Sequence, residues 1–148
     1  MVPSGLDKVP LDMVSKTIAS LGFNCVRLPY SLQLYLDNPF VENKYLTANP
    51  SLLDNNAMQV FDKTVDSLTG TGLMVILNNH VSEAGLCCST TDGNGLWYNK
   101  DYPEDKYFEV LRAITARYAG NKLVVGNDLR NELRPDETTG LMPVWGSN

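Results

Sequence analysis

Three times along this chain a helical stretch with an apolar stripe stops at glycine or Gly-Asn and passes at once into a short apolar, β-branched run. The runs are Phe23-Asn24-Cys25-Val26-Arg27-Leu28-Pro29, Leu73-Met74-Val75-Ile76-Leu77-Asn78-Asn79-His80 and Val124-Val125-Gly126-Asn127-Asp128-Leu129-Arg130-Asn131-Glu132. Helices of this length can carry the chain back along a sheet, so the repetition predicts right-handed crossovers between parallel strands. Connections before the strands are short and those after them are long. That asymmetry places one functional face at the carboxyl ends of the strands. Arg27, His80 and Glu132 stand at those ends, so three elements deliver ionisable side chains to one rim.

The helix pattern can be read residue by residue. Over 11–21, Leu11, Val14, Ile18 and Leu21 recur at helical spacing, Asp12 favours the positive end, and Gly22 closes the helix. The first strand covers 24–28, with Pro29 expected to end it. Residues 31–50, with Pro39 and Pro50, read as a long loop over the binding face. A second helix starts at Leu52 or Leu53, capped by Asp54 or Ser51. It carries Ala57, Val60, Phe61, Thr64, Val65 and Leu68 as its stripe. Strand 73–77, a glycine-rich loop over 81–102, helix 104–118 and strand 123–129 complete the order. Val26, Leu28, Val75, Leu77 and Val124 or Val125 are expected to line the inner face of a curved sheet.

Composition bounds the partners. At 148 residues and 43% hydrophobic content the chain can form one domain over 1–148. Seventeen acidic against twelve basic residues, net −5, argue against nucleic acid or an anionic membrane and permit a neutral substrate. No apolar stretch is long enough to span a bilayer. Met1-Val2-Pro3-Ser4 has no basic region followed by an apolar one, so no signal peptide is expected within this chain. Cys25 reads as a packed strand thiol, and pairing of Cys87 or Cys88 with a distant cysteine is expected over pairing with each other. The cysteine spacing and a single histidine argue against a metal. No phosphate-binding glycine loop follows any strand, and no cofactor is expected.

The strand ends also carry a resemblance. Leu21-Gly22-Phe23-Asn24-Cys25-Val26-Arg27-Leu28-Pro29, Val75-Ile76-Leu77-Asn78-Asn79-His80, Cys87-Cys88-Ser89-Thr90-Thr91-Asp92-Gly93-Asn94-Gly95-Leu96-Trp97 and Val125-Gly126-Asn127-Asp128-Leu129-Arg130-Asn131-Glu132-Leu133-Arg134 resemble glycoside hydrolase family 5, the cellulase-like β-glycanases. The likeness runs from about Gly5 to Pro135. It implies an α/β fold, a TIM (β/α)8 barrel fragment covering about strands 2 to 4 with the intervening helices. The first strand is then expected before Met1 and the last four beyond Asn148.

The same resemblance implies roles. Glu132 matches the general acid/base, Asn131 the residue that contacts the sugar 2-hydroxyl, Arg27 the arginine beneath the nucleophile, and His80 a substrate-binding histidine. The nucleophilic glutamate, expected after the seventh strand, has no counterpart here. Spacing alone favours reading Glu132 as a solvated loop glutamate that merely precedes Arg134, and the alternative for Asn131 is a helix or turn cap after the strand. Arg27 is equally a partner of Asp128 or Glu132, and His80 a structural hydrogen-bonding residue. Asn79 is a further candidate for the rim, with Asn78 turned to the barrel wall, while Asp128 and Arg130 share parity and are expected to form a buried ion pair. Trp97 and Tyr98 offer flat faces for sugar stacking against an ordinary packing role, and Trp145 is a weaker aromatic candidate.

The expectation is hydrolysis of β-linked polysaccharides or glycosides by a retaining mechanism in a secreted parent enzyme, the chain alone being inactive. The alternative is a non-catalytic carbohydrate-binding or interaction module derived from half a barrel. Unpaired sheet edges lead us to expect self-association.

Overall fold

A computed structural model describes residues 2–85, 87–137 and 139–143, so Trp145 lies outside the described residues. The elements run α1 (Leu11–Ser20), β1 (Cys25–Ser31), α2 (Leu32–Leu36), α3 (Ala57–Gly70), β2 (Met74–Val81), α4 (Glu104–Tyr118) and β3 (Val124–Asp128). The strands form one sheet in the order β1-β2-β3, and both pairings are parallel. Each strand is reached through a helix, as parallel neighbours require.

Local chemistry accounts for most boundaries. Gly22 and Gly72 take φ of +85° at the turns that follow α1 and α3, a conformation in which a side chain is strained. The α3 start differs from expectation. The cap is Asn56, whose side chain accepts from Gln59 N at 2.9 Å while Gln59 Oε1 accepts from Asn56 N at 2.9 Å. Asp54 and Ser51 do not cap it, because the stretch before Ala57 is a short 3-10 turn, Pro50–Leu52, and an irregular segment. The first helix has no cap of its own. Asn49 supplies one from a distance, accepting from Leu11 N at 2.7 Å and donating to Leu6 O at 2.7 Å.

Two expectations about β1 are corrected. The strand does not stop at Pro29 but runs through it to Ser31. Among the described residues β1 is an edge of the sheet, where a missing N–H need not break a ladder. The 31–50 connection is also not all loop. Ser31 Oγ accepts from Leu34 N at 3.0 Å and starts α2 directly.

The pleat determines everything that follows. Leu28, Tyr30, Val75, Leu77 and Asn79 lie on the face covered by helices and are buried. There they join Phe61, Val65 and Leu68 of α3 and Tyr107, Val110 and Ile114 of α4 in one apolar cluster. Tyr30 meets Phe61 edge-on with ring centroids 6.3 Å apart. The apolar strand residues expected to line the inner face therefore face the helices instead, and Val26 and Val124 pack against the same cluster. The opposite face carries Arg27, Ile76, Asn78, His80 and Asp128. A bulge between Val75 and Ile76 shifts the pairing so that Gly126, not Val125, stands opposite Ile76. That shift brings Asp128 beside Asn78.

Candidate active site

Side chains two residues apart on a strand share a face, and parallel register aligns neighbours across it. Asn78 and His80 on β2 thus point with Asp128 of β3 and Arg27 of β1 to the uncovered side. At the centre is Asp128 Oδ2, which accepts from Arg27 Nε at 2.7 Å, from Arg27 Nη2 and from Asn78 Nδ2 at 3.0 Å. Arg27 Nη2 also donates to Asn131 Oδ1 at 3.0 Å. Asn78 Oδ1 lies 2.7 Å from His80 Nδ1. One hydrogen-bonded chain therefore joins His80, Asn78, Asp128, Arg27 and Asn131.

Burial, first, and the charge of Arg27, second, hold the His80 pKa below its ordinary 6.5, while Glu132 pulls it the other way. Glu132 is close enough to act on His80 and stands exposed, with its backbone at φ +42°. That left-handed conformation turns the chain sharply at the residue after Asn131. It is held from both sides by arginines.

Arg130 is buried and donates to Asn79 Oδ1 at 2.8 Å, Ser82 Oγ at 3.2 Å and Asn94 O at 3.1 Å. Desolvation brings its pKa down to about 10, which leaves it charged at neutral pH. Arg134 pairs with both oxygens of Asp92, at 2.7 and 2.8 Å, and donates to Ser89 O. Gly95 lies so close to this segment that a Cβ on it would sit 2.8 Å from Arg134 O. The 81–102 loop and the Glu132 turn are thus clasped together through Asp92, Asn94 and Gly95.

Several residues lie elsewhere than their positions along the chain predict. Asp128 and Arg130 do not pair: β3 ends at Asp128, the strand parity ends with it, and Asp128 pairs with Arg27. Asn78, expected at the barrel wall, is in the rim chain. Asn79 is turned to the helix-covered face, where it binds Arg130, although its backbone oxygen accepts from Asn131 N at 2.8 Å. Trp97 donates from Nε1 to Glu104 Oε1 at 3.0 Å and packs on the helix-side core. Sequence reasoning alone misses Asp128 and Asn78 as members of the site. The two-residue spacing of Asn78 and His80 is a signal that could have found Asn78, but the facing of Asp128 depends on the bulge.

The two neighbouring cysteines are also corrected. Cys87 and Cys88 are bonded to each other across a cis peptide, and Cys25 is free. Adjacent pairing satisfies both sulfurs without a distant partner. Asn131 Nδ2 lies 3.6 Å from each of these sulfurs. His80, Cys87 and Cys88 bring their donor atoms within 4.8 Å of one another. Because the sulfurs are joined, they offer no thiolate, and the trio does not fit a metal ion.

Parallel strands backed by helices, with an acid and a polar rim at the carboxyl ends, define part of a (β/α)8-type enzyme scaffold. The family model "Cellulase (glycosyl hydrolase family 5)" matches residues 5–146, and the chain belongs to that family. It is 33% identical over 154 residues to a glycosyl hydrolase 5 family protein of Chamaecyparis obtusa, covering 93% of this chain and 28% of that protein. It is 29% identical over 129 residues to the major extracellular endoglucanase of Xanthomonas campestris pv. campestris, covering 87% of this chain and 25% of that protein. A hyperthermophilic endocellulase from the archaeon Pyrococcus horikoshii superposes with a TM-score of 0.80 at 25% identity, over 99% of this chain and 39% of that one. The chain thus spans well under half the length of these relatives, and its sheet is part of a (β/α)8 barrel.

Proposed function

We propose that the whole protein hydrolyses β-linked glycosidic bonds with retention and that Glu132 is its general acid/base. The observation that carries this reading is the exposed Glu132 turn, held beside His80 and Asn131 on the polar face of the sheet. A general acid must reach the leaving oxygen, and a rim carboxyl group at the end of a barrel strand is placed to do so. Asn131 and His80 contact sugar hydroxyls, and Arg27 supports the nucleophile from beneath. Asn79 supports Asn131 through its backbone oxygen.

Retention needs a second carboxylate about 5 Å from the first. Asp128 is committed to Arg27 and Asn78 and does not serve. The resemblance puts the nucleophile after the seventh barrel strand, and residues 1–148 alone, read as one partial barrel domain, do not turn substrate over. The name of the Xanthomonas campestris relative supports an extracellular setting. The outer edges of β1 and β3 support self-association of the chain when it stands alone.

In the whole protein, Glu132→Gln should lower turnover of β-glucans by about 10²–10⁴-fold while oligosaccharide binding persists. Near-normal turnover would remove Glu132 from the mechanism. Product anomers followed by NMR test the stereochemistry, and inverted products rule out the retaining reading.

A further inference from the structure

The rim chain contains two groups whose hydrogen-bonding polarity is not adjustable. A carboxylate only accepts, and a guanidinium only donates. Asp128 Oδ2 therefore takes the amide nitrogen of Asn78, at 3.0 Å, which turns Asn78 Oδ1 toward His80 Nδ1 at 2.7 Å. An amide oxygen cannot donate, so the proton of that contact belongs to His80 Nδ1. At the other end Arg27 Nη2 takes Asn131 Oδ1, which leaves the Asn131 nitrogen facing the Cys87 and Cys88 sulfurs. Sulfur is a weak acceptor, so that nitrogen keeps donor capacity.

We propose that Asp128 is a positioning residue whose pair with Arg27 sets the polarity of the whole rim, presenting His80 Nε2 as an acceptor and Asn131 Nδ2 as a donor. The order of side chains is what makes this a property of the fold. Asn78 is buried between Asp128 and His80 and cannot rotate its amide without opposing a carbonyl oxygen to a carboxylate. Arg27 blocks the same rotation in Asn131. The charges that act on His80 are those of Arg27, Glu132, Arg130 and Asp128, and burial with the Arg27 charge holds its pKa below the ordinary 6.5, which favours the neutral imidazole at pH 7. A rim with one acceptor and one donor suits a neutral hydroxyl, which does both, and gives an anion nothing at His80. The use of this polarity on a sugar rests on the function proposed above. The polarity itself does not, because it exists without ligand.

His80 is the one histidine among residues 1–148, and loss of its signal in His80→Gln assigns it in the whole protein. With ¹⁵N-labelled imidazole, long-range ¹H–¹⁵N correlation above pH 7.5 should show the proton on Nδ1, whereas free histidine favours Nε2. A proton on Nε2 in the native protein overturns the proposal. Asp128→Asn, which can donate toward Asn78, should lose most of the Nδ1-protonated signal, while Asp128→Glu should retain it. An unchanged tautomer in a folded Asp128→Asn protein removes Asp128 from the role. Should that variant not fold, Asn78→Leu leaves the Arg27–Asp128 pair in place and must move the proton to Nε2; retention on Nδ1 overturns the chain. None of these readings involves sugar, so a failure here is distinct from a failure of the glycosidase reading.

Discussion

Two Arg–Asp pairs in this molecule are nearly the same by exposure and differ in what they are joined to. Arg27 and Asp128 are 46% and 29% exposed, and Arg117 and Asp62 are 43% and 27% exposed. The second pair bridges α4 and α3. Its aspartate also accepts from Tyr118 OH at 2.7 Å, and burial with the Asp62 charge pushes that phenol well above its usual range. Among the described residues its hydrogen bonds stay within the helix layer. The first pair reaches onward through Asn78 to His80 and through Arg27 to Asn131. Pairing and exposure do not distinguish a supporting contact from a structural one. The onward connections do, because only they transmit orientation to groups that a ligand can meet.

A third arginine sharpens the contrast most. Arg130 is buried with neutral acceptors only among the bonds described, and Arg130→Leu would strand Asn79 Oδ1 and Asn94 O. We expect a loss of about 3 kcal/mol in urea unfolding; a loss under about 1 kcal/mol would mean that the clasp on the 81–102 loop does not stabilise the fold. Next is the direct exchange between the two pairs. In the whole protein, Asp128→Ala should weaken oligosaccharide binding at least about tenfold, equivalent to about 1.4 kcal/mol, with calorimetry as the measurement. Asp62→Ala should leave binding unchanged and cost about 1 kcal/mol of stability, seen as a few degrees in Tm. Equal effects on binding from both substitutions would break the comparison.

The smallest effect is in pH. Folding holds His80 below its ordinary 6.5, so between the two values the unfolded chain binds more protons than the folded one. Stability from this residue is complete above about pH 6.5, rises with pH through the window below it, and is lost as pH falls through the folded value. Urea midpoints at pH 5 and 7.5 should differ more for the native protein than for His80→Gln. A native midpoint no more pH-dependent than the variant's would show that the imidazole is not held neutral. Light scattering on the isolated chain tests the edge strands separately: a monomer at all concentrations would contradict self-association.

The helix-strand order is legible in the sequence because periodicity and glycine stops are local. Helix α4 appears over Glu104–Tyr118, matching the predicted 104–118, and three strands appear where three are expected. Short-range capping is less legible, since Asn56 with Gln59 competes with Asp54 and Ser51 by geometry that only the folded turn reveals. The rim is legible by type but not by partner. Arg27, His80, Asn131 and Glu132 stand where a polar face is expected, yet Asn78 and Asn79 each occupy the face expected of the other. The parity that would pair Asp128 with Arg130 ends with the strand.

The sequence by itself determined the alternation of helix and strand, the long connections on one side, and which residue types reach the strand ends, because each follows from contacts within a few positions along the chain. Tertiary structure alone decided three things: the cap of α1 by Asn49, the bulge that sets Asp128 beside Asn78, and the fastening of the Glu132 turn by Arg130 and Arg134. Each joins groups tens of residues apart. Side-chain polarity limits which pairs are allowed, but register and packing choose among them.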